Sequence, residues 1–191
     1  MSKTILYFHG FASSSDSNKA IVLKNYFSRN YKHSEIVIPD LDNNFKKAVG
    51  QINKLVDDAK NPIVFMGSSL GGYYAAFFSS KLKTKSVLIN PATPPLKDFE
   101  MYLGENKNYS TGEKFIITKD DIQYLRKISY KKYPNAQNTY VLLESGDEVL
   151  NYKDTAKYFS GSYIDVIYGG THSYESIDKK LENIVNFIEI S

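Results

Sequence analysis

Short β-prone runs of apolar residues alternate along this chain with longer segments of helical periodicity. Six runs predict strands: Thr4–Phe8, Ser34–Pro39, Pro62–Met66, Ser86–Asn90, Thr139–Glu144 and Tyr163–Tyr168. Between them, apolar residues recur three and four positions apart, as in Val49–Ala59 and Ile177–Ile188, and this spacing predicts amphipathic helices. Most of the strands are apolar without strict alternation, as in sheets that are covered on both faces. The pattern therefore predicts a doubly wound α/β fold with a mainly parallel sheet of about six strands.

One connection between predicted strands is much longer than the others. It runs for 48 residues, from Pro91 to Asn138, whereas a crossover between parallel strands needs only about 10–12 residues or more. Two apparent helices, near Leu96–Leu103 and Lys119–Lys131, flank a stretch rich in Gly, Asn and Tyr at 104–112. The insertion is either a decorated surface loop or a small helical cap, residues 93–136, over the functional site. We expect a cap, because long insertions are often lids.

Length and composition limit the class of protein. The 191 residues and a hydrophobic content of 42% suit a single domain, residues 1–191. The net charge is only +3, and Arg29 and Arg126 are the only arginines, so nucleic-acid binding is not expected. Cysteine is absent, which excludes disulfides and thiolate chemistry. No apolar run reaches the length of a signal peptide or a membrane span, and we expect a soluble, cytoplasmic protein.

The apolar run Val64–Met66 leads directly into Gly67-Ser68-Ser69-Leu70-Gly71, and a helix-like segment follows. A strand, a sharp turn and a helix start are the context that the Gly-x-Ser-x-Gly motif requires. Ser69 lies at the apex of this turn, where its backbone is strained and the residues two positions away must be nearly free of side chain. The motif predicts Ser69 as a nucleophile.

A serine hydroxyl needs a base that takes its proton and a third group that orients that base. His33 lies in a polar loop and is expected at the surface, whereas His9 ends the first strand. His172 follows the last strand, and the carboxyl ends of parallel strands are where sites form. We therefore predict His172 as the base, with a structural histidine as the alternative.

The orienting carboxylate is predicted from the same sheet edge. Asp147 lies in the loop after the strand Thr139–Glu144 and is the candidate, although it could instead cap a helix near 151–159 or occupy a simple turn. Glu148 is a rival that the sequence leaves open. The chain order of Ser69, Asp147 and His172 is the nucleophile–acid–base order of α/β-hydrolases.

A tetrahedral oxyanion also needs hydrogen-bond donors. The N–H of Leu70, which follows the nucleophile, is one candidate, and the N–H of Phe11, in the loop after the first strand, is the second. Gly10 permits the tight turn that would aim this N–H into the site, and His9 is expected to brace the loop. No metal-ligand spacing or phosphate-binding loop is visible, so no metal and no cofactor is expected.

Several segments together resemble the YqiA-type small bacterial esterases of the α/β-hydrolase superfamily. The resemblance extends from the first strand to the last helix and rests on His9-Gly10-Phe11, Gly67–Tyr73, Leu88-Ile89-Asn90-Pro91-Ala92, Tyr102-Leu103-Gly104-Glu105, Gly146–Val149 and Gly170-Thr171-His172. It implies a hydrolase that lacks the first two strands of the larger superfamily members. It also implies Ser69 as nucleophile, Asp147 as acid and His172 as base.

The sequence thus predicts a serine esterase that hydrolyses small carboxylic esters through an acyl-enzyme on Ser69. An acyl-CoA thioesterase with the same residues is one alternative. A non-catalytic binding protein on a hydrolase scaffold is another, because fold alone does not imply function. The physiological substrate, the acyl-chain length and the oligomeric state do not follow from the sequence.

Overall fold

A computed structural model describes residues 2–190 of the chain, with the exception of the side chains at positions 97 and 98. Within this range the elements follow in the order β1 (Thr4–Phe8), α1 (Asn18–Asn30), β2 (Glu35–Val37), α2 (Phe45–Asp58), β3 (Ile63–Ser68), α3 (Leu70–Leu82), β4 (Ser86–Ile89), β5 (Gly104–Lys107), β6 (Lys114–Ile117), α4 (Lys119–Lys127), β7 (Thr139–Glu144), α5 (Tyr152–Tyr158), β8 (Tyr163–Ile167) and α6 (Leu181–Ile188). Short 3₁₀ turns cover Lys97–Tyr102, Ala136–Asn138 and Ile177–Lys180.

Six of the strands form one parallel sheet in the order β2-β1-β3-β4-β7-β8. This result confirms the predicted doubly wound α/β fold and all six predicted strands. The bounds of β1 and β7 agree with the prediction, whereas β2 is limited to three residues. The chain crosses from β2 over β1 to β3, so the strand order reverses between β1 and β3, and crevices for ligands form at such a reversal.

The two faces of the sheet carry separate hydrophobic cores. Successive residues of β1 point to opposite faces, as the strand period of two requires: Ile5 and Tyr7 pack with α1 and α6, whereas Leu6 and Phe8 pack with α2 and α3. All four side chains are at most 1% exposed. Burial on both faces explains why the strands are apolar without alternation.

The insertion contains one of the two helices that we predicted in it. Its second predicted helix is present as α4, but the first is only the 3₁₀ turn Lys97–Tyr102. The stretch after it, for which no strand was predicted, forms an antiparallel hairpin of β5 and β6. The β5 sequence, Gly104-Glu105-Asn106-Lys107, has no apolar side chain, so periodicity could not indicate a strand there.

Candidate active site

Ser69 lies at the sharp turn between β3 and α3, with φ 55° and ψ −121°. A non-glycine residue at positive φ is strained, and such strain persists only where the surroundings impose it. Here the Ser69 N–H donates to the Ile89 carbonyl (3.1 Å) and the Ser69 carbonyl accepts from the Ala92 N–H (3.0 Å). A Cβ on Gly67 would collide with the backbone of Gly71. The glycines of the motif are therefore needed for close packing of the strand against the helix.

The structure brings the three residues of the predicted triad into one chain of hydrogen bonds. His172 Nε2 lies 3.0 Å from Ser69 Oγ, and His172 Nδ1 lies 2.8 Å from Asp147 Oδ2. The Asp147 side chain is 2% exposed and that of His172 is 21% exposed. The imidazole thus bridges a buried carboxylate and a hydroxyl that is positioned at the turn, as acyl transfer through a serine requires.

The two neighbouring carboxylates, Asp147 and Glu148, contact different atoms of His172. Asp147 Oδ1 accepts from the N–H groups of Val149 and Leu150, both at 2.8 Å, which leaves Oδ2 to face the ring. Glu148 Oε2 instead accepts from the backbone N–H of His172 at 3.0 Å. That bond lowers the pKa of the exposed Glu148 carboxyl. Asp147 does not cap α5, because the Asn151 side chain does so.

Two buried polar residues that the sequence analysis did not assign to the site hold the loop of His172. Asn90, at the end of β4, donates from its amide to the carbonyls of Thr171 (3.0 Å) and His172 (3.2 Å). Glu144, at the end of β7, is fully buried and accepts from the N–H of Thr171 (2.8 Å) and of Ser176 (3.1 Å). Both are polar residues at the end of an apolar strand, and this sequence pattern could have assigned them to the site.

The two predicted oxyanion donors adjoin residues that lie together in the structure, since Leu70 follows Ser69 and Phe11 follows Gly10. Leu70 is the first residue of α3, and within residues 2–190 neither its N–H nor that of Phe11 donates a hydrogen bond to the protein. Gly10 passes close to the nucleophile, since a Cβ on Gly10 would lie 3.4 Å from Ser69 Cβ. Both N–H groups are therefore free of protein partners, as donors to an oxyanion must be.

The loop that carries Phe11 is held from two directions. The Phe11 ring packs against the rings of Phe45, Phe99, Tyr102 and Phe115, with centroids 4.7–6.2 Å away. The tip of the β5–β6 hairpin is hydrogen-bonded to the same loop through the buried Asn108, which donates to the Ser13 carbonyl (3.1 Å). The insertion thus supports the candidate oxyanion loop directly.

His9 holds the other side of this loop. Its Nδ1 lies 2.9 Å from the Gly10 carbonyl, and its Nε2 lies 3.0 Å from the Leu41 nitrogen. Because a backbone N–H can only donate, Nε2 must accept, so this arrangement requires the neutral ring with its proton on Nδ1. Burial lowers the pKa of His9 below its usual value of 6.5.

We expect acidification to destabilise the protein through His9. The unfolded chain takes up this proton near pH 6.5, whereas the folded chain takes it up only at lower pH. The contribution of neutral His9 to the free energy of unfolding is therefore complete above pH 6.5. It is lost as pH falls below this value, and the free energy of unfolding then decreases by at most about 1.4 kcal/mol per pH unit. His9→Gln, which keeps an acceptor for Leu41, should reduce this slope. Denaturant unfolding between pH 5 and 7.5 measures it.

The matched control for this prediction is His33→Gln, since His33 is exposed and makes no hydrogen bond through its side chain in the described structure. It should leave the pH dependence of the unfolding free energy unchanged. An unchanged slope in His9→Gln would contradict the role of His9 as the titrating group.

A cavity of about 550 Å³ opens at Ser69 and His172. Its apolar wall combines the loop after β1, the insertion and the loop after β7, and consists of Phe11, Phe99, Met101, Tyr102, Val149 and Leu150. Met101 and Val149 are 73% and 45% exposed and lie at its mouth. Part of the insertion therefore lines the site.

Two structural features are absent from the described part of the chain. No three His, Asp or Glu side chains there come together as a metal site. No helix there has the length and apolar character that crossing a membrane demands.

The fold is similar to that of several solved structures. Alpha/beta hydrolase domain-containing protein 10 from mouse superposes with a TM-score of 0.75 at 19% identity, covering 97% of this chain and 89% of that protein. Est1E from Butyrivibrio proteoclasticus gives 0.71 at 17% identity, over 97% and 86% of the two chains. Paleococcus ferrophilus monoacylglycerol lipase gives 0.68 at 13% identity, over 98% and 95%. The chain has the α/β-hydrolase fold.

The sequence itself matches a family along almost its whole length. UPF0227 protein YcfP from Escherichia coli is 26% identical over 196 aligned residues, which cover 96% of this chain and 97% of YcfP. The model of the uncharacterised protein family UPF0227 matches residues 4–189. These matches agree with the resemblance to small bacterial α/β-hydrolases that the motifs indicated. The chain is a member of the UPF0227 family.

Proposed function

We propose that this protein is a serine hydrolase that cleaves carboxylic esters through an acyl-enzyme on Ser69. The observation that carries the proposal is the continuous hydrogen bonding from Asp147 through His172 to Ser69, at 2.8 and 3.0 Å, at the opening of a cavity that has an apolar wall. The Paleococcus ferrophilus protein, whose fold this chain shares, is named as a monoacylglycerol lipase, which adds support.

The chemistry follows from the positions of the atoms. Ser69 Oγ attacks the carbonyl carbon of the ester while His172 Nε2 takes its proton. The oxyanion that forms accepts from the N–H groups of Leu70 and Phe11. When the carbon–oxygen bond breaks, the alcohol leaves with the proton from Nε2. Water then attacks the acyl-enzyme with His172 as base, and the carboxylic acid is released.

Asp147 makes this sequence possible through the tautomer of His172. Its Oδ2 accepts the Nδ1–H, so the lone pair of Nε2 faces Ser69 Oγ. The carboxylate also stabilises the imidazolium that exists after each proton transfer. Because Asp147 is buried and its other oxygen is held by two N–H groups, its orientation is fixed before substrate binds.

A fluorophosphonate probe tests the proposal without knowledge of the substrate. An activated serine displaces fluoride from phosphorus and becomes covalently labelled. Peptide mapping by mass spectrometry then identifies the labelled residue. We expect labelling at Ser69, and no labelling of Ser69→Ala under the same conditions. No labelling of the wild type, or equal labelling of the variant, would support a non-catalytic binding protein instead.

We expect catalytic efficiency on aryl esters to rise with acyl length and then level off at short to medium chains. Each buried CH₂ is worth about 0.8 kcal/mol, or roughly fourfold in kcat/KM, until the apolar wall is covered. The measurement is kcat/KM for a series of 4-nitrophenyl esters. Met101→Ala, which removes part of the wall, should shift the profile.

Ile116→Ala is the matched control for Met101→Ala. Ile116 also belongs to the insertion and is 65% exposed, but it does not line the cavity. Its profile should equal that of the wild type. A flat wild-type profile, or equal profiles for the two variants, would show that the insertion does not bind the acyl chain.

A further inference from the structure

Part of the cavity wall is polar and includes a cation. Lys19, in the first turn of α1, is half-buried and lines the cavity together with Ser17 and Ser173. Its ammonium donates to the Ser173 carbonyl at 2.5 Å. In the described structure Lys19 makes no ion pair, so two of its three N–H groups are available to a ligand.

A second buried donor without a partner lies in the same wall. Tyr7, on β1, is 0% exposed and lines the cavity. Its hydroxyl forms no hydrogen bond with the described protein atoms. Burial raises the pKa of Tyr7, and the nearby side chain of Ser68 opposes part of this rise. A buried hydroxyl without a partner is unfavourable, so a ligand that accepts its hydrogen bond is favoured at this position.

The charges around Lys19 determine what this wall can bind. Glu144 and Asp147 lie close enough to oppose the fall in its pKa that burial causes, and they help to keep it protonated. Both carboxylates already accept hydrogen bonds from backbone N–H groups. Glu148, at the exposed rim, is committed to the His172 N–H. The N-terminal end of α1 adds a dipole that favours an anion, and its Ser17 makes no capping bond.

We propose that Lys19 and Tyr7 form a subsite for a carboxylate on the alcohol part of the ester. This proposal rests on the proposed esterase function and deepens it. Lys19 donates a hydrogen bond to Ser173, the residue that follows His172. Because His172 protonates the departing alcohol, the alcohol part of the ester leaves on the side of the cavity where Lys19 lies. One ammonium and neutral hydroxyls match the single charge of a carboxylate. The apolar wall receives the acyl part.

Two esters of nearly equal shape test the subsite: 4-carboxyphenyl butyrate and its neutral counterpart, 4-carbamoylphenyl butyrate. We expect wild type to prefer the carboxylate at least tenfold in kcat/KM, since hydrogen bonds to charged groups are worth about twice those between neutral groups. Lys19→Met should bring the ratio to about one, and Tyr7→Phe should lower it severalfold. Lys24→Met, on an exposed face of the same helix, should leave it unchanged.

Binding of the product alcohols gives a readout that does not depend on catalysis. The thermal shift with 4-hydroxybenzoate should exceed that with 4-hydroxybenzamide in wild type and in Ser69→Ala, but not in Lys19→Met. If wild type hydrolysed both esters with equal kcat/KM, or if Lys19→Met lowered kcat/KM equally for both, the carboxylate subsite would be refuted and the esterase function would be retained. Selective binding of the benzoate without hydrolysis of either ester would refute the esterase and leave the carboxylate site.

Discussion

Ser69→Ala is expected to lower kcat by about 10⁶, because loss of the nucleophile in a serine triad removes the covalent route entirely. The fold should remain intact. Alanine keeps the Cβ that already occupies the strained conformation, and in the described structure the Ser69 hydroxyl bonds only to His172. Steady-state hydrolysis of 4-nitrophenyl butyrate gives kcat, and denaturant unfolding gives the stability of the variant.

Ser80→Ala is the control for this prediction. Ser80 lies on the same helix, and its hydroxyl forms no hydrogen bond within the described residues, so its removal should change kcat less than about threefold. Activity of Ser69→Ala within tenfold of the wild type would eliminate Ser69 as the nucleophile, whatever the fold.

Asp147→Asn is expected to lower kcat by about 10⁴ through the wrong tautomer of His172. The structure determines how the new amide must orient. The N–H groups of Val149 and Leu150 require an oxygen at the Oδ1 position, so the amide nitrogen would face His172 Nδ1. An amide N–H that donates to Nδ1 places the ring proton on Nε2. Protonated Nε2 can no longer accept the hydrogen of the Ser69 hydroxyl.

Glu148→Gln is the matched control, since it removes the adjacent carboxylate. A glutamine oxygen can still accept from the backbone N–H of His172, and we expect kcat to fall less than about tenfold. The pH dependence of kcat for both variants checks the assignment. A mild effect in Asp147→Asn together with a severe one in Glu148→Gln would make Glu148 the acid.

Features that depend on a few neighbouring residues could be predicted from the sequence. The β3 strand, Gly67 and Gly71 together require a sharp turn, since a side chain at either glycine would collide with nearby backbone. The four central strands, β1, β3, β4 and β7, follow from apolar runs that are buried on both faces. Because the carboxyl ends of the parallel strands share one edge, loops distant in the sequence were expected to meet there, and those of Ser69, Asp147 and His172 do.

Contacts between side chains far apart in the sequence were decided only by the tertiary structure. Asp147 and Glu148 are adjacent carboxylates, and only the packed loop determines which one faces the imidazole.

The same limit applies to the insertion and to the polar wall of the cavity. β5 is polar throughout and is a strand only because β6 pairs with it, so no local pattern could predict the hairpin. Lys19 reaches Ser173 across 154 positions, and Tyr7 shares a cavity with both. Local preference determines turns and strands, whereas the orientation of a polar side chain depends on which distant partners the fold brings to it.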